Sequence, residues 1–160
     1  MRYESKRVRR KNDAAIKVKQ ALQEYCMEVV KRFRPLCIIL YSSRAKGTFT
    51  SESDADIIVI SNNFDQDFLL RIRSLIDLNG TELPIEPLGY TEPEFTGMLE
   101  SFRLTALDAV YEGKALYGED YFNHLKERLG ELERMGVYKG KIADADIPGI
   151  IDMIVKLTKE

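Results

Sequence analysis

The chain has 160 residues, of which 44% are apolar and 31% charged, with a formal net charge of −2; this suits one globular domain, or one domain with a helical extension. No apolar run approaches the roughly 20 residues that a bilayer-spanning helix needs, and the basic N-terminus lacks the apolar stretch of a secretory signal, so a cytoplasmic protein without membrane contact is expected. Two cysteines, Cys26 and Cys37, and one histidine, His124, argue against a disulfide framework and a Cys/His zinc site, leaving two reduced, buried thiols and a surface imidazole as the expectation.

Charge is spread unevenly. Residues 1–46 carry 13 Lys or Arg against 4 acids, and residues 47–160 carry 11 against 22. Such a dipole can draw a polyphosphate or a nucleic acid to one side.

In chain order, residues 4–33 predict one long helix, with Ala14, Val18, Leu22, Tyr25, Val29 and Phe33 near a 3.6-residue period. Its first turns, Lys6 to Lys11, are nearly all basic, and Pro35 ends it. Leu36 to Tyr41 reads as a short buried strand. Serines and Gly47 mark a turn, and a short helix could start near Ser43. Ser53 to Ile60 reads as a second strand, apolar on both faces from Ile57 onward and hence covered on two sides. Phe64 to Leu78 has helical spacing. Leu83 to Leu88 predicts a third strand, which Pro84 and Pro87 push to an edge position. Thr91 with Glu94 forms a capping-box pattern. Met98 to Tyr111 predicts a further helix, Gly113 to Gly118 a short strand, Tyr121 to Met135 a helix, and Ile150 to Leu157 an apolar helical tail. The fold class expected is α/β or α+β: a short mixed sheet flanked by helices. Residues 1–35 form the packing helix, 36–118 the core and 119–160 a helical extension within one domain.

The densest chemistry lies between the first two strands. Tyr41-Ser42-Ser43-Arg44-Ala45-Lys46-Gly47 is followed by Ser53-Asp54-Ala55-Asp56 and the apolar run Ile57 to Ile60. Strand residues at i and i+2 leave the same face, so Asp54 and Asp56 would point the same way. Acids are poor strand formers, and two side by side repel; a hard divalent cation, magnesium or manganese, would relieve the repulsion. Glu86, in the next predicted strand, is the candidate third carboxylate. Amides and hydroxyls around Ser42 and Ser43, with Arg44 and Lys46, would suit the outer phosphates of a nucleoside triphosphate such as ATP. In-line attack at the α-phosphorus would then release pyrophosphate.

Ser42-Ser43, ten intervening residues and Asp54-x-Asp56 leading into an apolar strand resemble the signature of the nucleotidyltransferase superfamily, in its small stand-alone "minimal nucleotidyltransferase" branch. The resemblance covers roughly residues 36–118 and takes in Glu86 and the Gly113 to Tyr117 segment. It implies magnesium-dependent transfer of a nucleoside monophosphate, AMP above all, from a triphosphate to a hydroxyl. For some small members it implies a helical partner protein in a toxin–antitoxin module. Ser42 stands where the signature usually has Gly, and Glu86 where it usually has Asp. The first departure supports a second expectation: a catalytically weak interaction protein of antitoxin type, docking a helical partner or a second copy through its apolar tail. A third expectation is nucleic-acid binding through the basic N-terminal helix.

Overall fold

The computed structural model describes residues 6–41 and 54–135. Among these residues the order is α1 (Lys6–Phe33), β1 (Cys37–Tyr41), β2 (Ala55–Ile60), α2 (Phe68–Asp77), β3 (Ile85–Tyr90), α3 (Glu92–Glu100), α4 (Leu104–Glu112), β4 (Lys114–Tyr117) and α5 (Glu119–Arg134). The strands form one mixed sheet in the order β3-β2-β1-β4. β1 is antiparallel to β2 and to β4, whereas β2 and β3 are parallel. This is the α+β class expected, and β3, with its proline, lies at an edge as expected.

Alternation along the two central strands sorts the core into two layers. Ile38 and Leu40 of β1, with Ile57 and Val59 of β2, pack against Val18, Leu22, Tyr25, Val29 and Phe33 of α1 and against Leu75 of α2. Cys37, Ile39, Ile58 and Ile60 face the other way, onto Phe95, Leu99, Leu107, Val110 and the Phe122, Leu125 and Leu129 stripe of α5. Both faces are covered, so β1 and β2 read as unbroken apolar runs.

Polar groups secure the ends of these elements. The Ser61 hydroxyl and the Asn63 side-chain amide both donate to the carbonyl of Phe33, at 2.7 and 2.9 Å, satisfying an end group of α1 that has no partner within the helix. The buried Tyr25 hydroxyl donates to the Leu75 carbonyl at 2.8 Å and ties α1 to the last turn of α2. The capping box at Thr91 and Glu94 forms as the spacing predicts.

Two elements differ from expectation. The helix expected from Met98 to Tyr111 is broken into α3 and α4 at Phe102, whose φ is 58°; a left-handed residue cannot continue a right-handed helix. α2 begins at Phe68, capped by Asp67. Its apolar spacing marks contact poorly: Leu69 and Ile76 are exposed while Arg71 is buried. The apolar tail expected over 150–157 lies outside the described residues. No helix among the described residues is long and apolar enough to cross a membrane.

Candidate active site

The chain brings its acids together by strand register. Asp56 lies opposite Tyr41 of β1 on one side and opposite Glu86 of β3 on the other. In β2, Asp56, Ile58 and Ile60 share a face, and Asp54 precedes them on the same alternation. In β3, Glu86 shares its face with Leu88 and Tyr90, which pack on the same layer as Ile58 and Ile60. All three carboxylates therefore lie on the α3–α5 side of the sheet, where the parallel strands β2 and β3 begin.

Glu86 is exposed, and its pKa is raised from its ordinary value. The largest cause is a hydrogen bond with Asp54, then one with Asp56, with the two negative charges adding to both. The two aspartates thus raise the cost of ionising Glu86, a cost that a bound cation would lower. The set is all-oxygen and anionic, the chemistry that hard divalent cations select. Among the described residues no three His, Cys, Asp or Glu are already spaced to hold a metal ion. The three acids meet at hydrogen-bonding range, so side-chain adjustment would be needed to ligate one.

The structure adds residues that sequence reasoning did not assign to the site. The Tyr41 phenol is pushed up to about 12, mainly by burial and then by the charges of Asp56, Tyr90, Glu86 and Asp108. Tyr41 continues the Cys37, Ile39 alternation, so its facing was readable from sequence. Asp108 lies on α4, and only the folding of that helix over the sheet brings it near.

A second network supports β3 from its open edge. Arg71 of α2, 4% exposed, donates from Nη1 to Glu94 Oε1 at 2.6 Å and to the Gly89 carbonyl at 3.3 Å, and from Nε to the Asp65 carbonyl. Burial pushes Glu94 up, but Arg71 and the Thr91 amide and hydroxyl outweigh it and hold the carboxyl below its ordinary value. A Cβ at Gly89 would come within 2.9 Å of the Phe64 ring, so a larger residue there would force that ring to shift.

Ser42, Ser43, Arg44 and Lys46, expected at the phosphates, lie outside the described residues. A groove of about 770 Å³ between α1 and residues Gly80 to Pro84 lies on the α1 side of the sheet, at the same end as the acids but on the opposite face.

The chain matches the family described as nucleotidyltransferase domain over residues 22–106. No curated protein matches it. Among solved structures it is similar to a candidate nucleotidyltransferase from Sulfolobus solfataricus, at 17% identity and a TM-score of 0.48, covering 66% of this chain and 84% of that one. It is also similar to a structure described as a toxin–antitoxin with AMP-PNP, at 16% identity and a TM-score of 0.50, covering 83% of this chain and 98% of the other. The second likeness is one of fold.

Proposed function

The chain belongs to the nucleotidyltransferase domain family, and from that premise we propose that it moves a nucleoside monophosphate from a triphosphate, in the presence of magnesium, to a hydroxyl acceptor. The observation that carries this reading is the convergence of Asp54, Asp56 and Glu86 on one face of β2 and β3. Asp54, Asp56 and Glu86 are the residues that would hold the cation, which when bound offsets phosphate charge and makes the acceptor hydroxyl easier to ionise. Ser42, Ser43, Arg44 and Lys46 are proposed to hold the β- and γ-phosphates. The acceptor oxygen forms a bond to the α-phosphorus, the bond from that phosphorus to the bridging oxygen breaks, and pyrophosphate leaves. Glu86 in its ionised form would either help to hold the cation or take the acceptor proton. The AMP-PNP named with the fold neighbour makes ATP the nucleotide to test first.

With ATP labelled at the α-phosphate, magnesium and a panel of acceptors, the protein should transfer label, and an Asp54→Asn/Asp56→Asn variant should lose on the order of 100-fold or more of the rate. Equal label transfer by the two proteins would overturn the reading. A catalytically weak interaction protein is favoured by one observation, the exposed Leu69, Leu70 and Ile76 on α2. Magnesium-dependent triphosphate binding that is lost in Asp56→Asn is expected only of the transferase.

A further inference from the structure

α1 is longer than the sheet it covers. It has 28 residues, about 42 Å at 1.5 Å per residue, yet the first buried among its described side chains is Val18. Only residues 34–36 separate α1 from β1, so the helix runs back along the sheet antiparallel to β1, and its early turns reach the sheet end at Tyr41 and Asp56. Two contacts agree with this placement. Val18 and Leu22 share a groove with Ala115 and Leu116, near the start of β4. Arg10 and Lys17 line the larger groove with Thr81 and Pro84, immediately before the strand that carries Glu86. Residues 6–17, about 18 Å of helix, thus stand at the end of the sheet that bears the three carboxylates.

This overhang is strongly cationic. Residues 6–20 contain seven Lys or Arg against one acid, Asp13, in a chain of net charge −2. Lys6, Arg7, Arg10 and Lys17 are exposed. Lys6 and Arg10 stand at i and i+4, a spacing at which like charges weaken a helix. The arm contributes little to the core and carries repulsion that a polyanion would relieve.

We propose that the first three turns of α1 bind a nucleic-acid strand and present it to the carboxylate end of the sheet. A single strand carries a phosphate about every 3.4 Å, so about five phosphates match the length of the arm. A ribose terminus also carries the hydroxyl that nucleotidyl transfer needs, so one ligand class meets both requirements. The acceptor role rests on the transferase reading; the binding role does not.

The test is fluorescence anisotropy of a short labelled single-stranded RNA with the full chain. Binding should weaken on the order of 100-fold between about 50 and about 200 mM salt, as a few neutralised phosphates require. An Arg7→Glu/Arg10→Glu/Lys17→Glu variant, with its fold checked by circular dichroism, should bind at least tenfold more weakly. Asp54→Asn/Asp56→Asn, which removes negative charge beside the strand, should bind RNA at least as tightly as the unaltered chain does. No binding at low salt, equal binding by the charge-reversed variant, or equally tight binding of polyglutamate would overturn the proposal; the last would point to an acidic protein instead. RNA binding without transfer of label to any acceptor would uphold the arm and remove the transferase reading. Transfer to another acceptor without RNA binding would do the reverse.

Discussion

Glu86 is where the chemistry of single residues is most exposed to test. Hydrogen bonds with Asp54 and Asp56 and their charges raise its pKa, so ionising it costs the folded state more than the unfolded chain. A raised carboxylate pKa means that the folded state binds the proton more tightly, so this contribution favours folding at low pH and turns against it as pH rises through the raised value. Glu86→Gln should therefore melt higher than the unaltered chain at neutral pH, with the difference shrinking as pH falls into the carboxylate range. Magnesium should raise the melting temperature of the unaltered chain more than that of Glu86→Gln; equal shifts would remove Glu86 from the proposed cation site. The cysteines behave differently. Burial pushes Cys26 up to about 11 and Cys37 up to about 12, so both thiols stay protonated near neutrality. They should resist alkylation by iodoacetamide in the native state and react promptly in denaturant, because the thiolate is the reactive form.

Between elements, the contact that matters most for the site joins α2, β3 and α3. Arg71 is buried with its charge, and Glu94 is the partner that compensates it. Removing the carboxylate leaves a buried guanidinium, so Glu94→Gln should destabilise by about 1–3 kcal/mol, measured by urea denaturation. The Glu94 pKa is lowered, so the ion pair contributes fully above the unfolded carboxylate value and is lost as pH falls through the folded one. The advantage of the native chain over Glu94→Gln should fade in acid; a gap unchanged across that range would mean that the carboxylate's charge is not what stabilises the fold. This contact was hidden in the sequence. Arg71 sits among Phe68, Leu69, Ile72 and Leu75, and the 3.6-residue period marks the apolar residues as the buried ones. The sheet edge at Gly89 needed a hydrogen-bond donor, so the arginine went in and Leu69 went out. The break at Phe102 was hidden for a similar reason: helical propensity runs through it, and only the turn from α3 onto α4 requires the positive φ.

At the scale of the whole molecule, α1 divides into a half that belongs to the core and a half that does not. Val18 to Phe33 pack on the sheet, while residues 6–17 have almost no buried side chains. Native-state hydrogen exchange should find the amides of β1 and β2 the slowest and those of residues 6–13 the fastest among the helices, since local opening there breaks no core contact. Uniform protection along α1 would contradict this division of the helix.

Much of this architecture was present in local pattern. The unbroken apolar runs at Cys37–Leu40 and Ile57–Ile60 can be satisfied only by strands covered on both faces, and the proline in β3 suits only an edge. The period-2 rule alone put Asp54 and Asp56 on one side. What no local pattern contains is the pairing of β2 with β3. Only that parallel register sets Glu86 beside Asp56, and only packing across the sheet brings Tyr41, Asp108 and the arm of α1 to the same end, because proximity between distant segments depends on how buried surfaces fit and not on the order of residues.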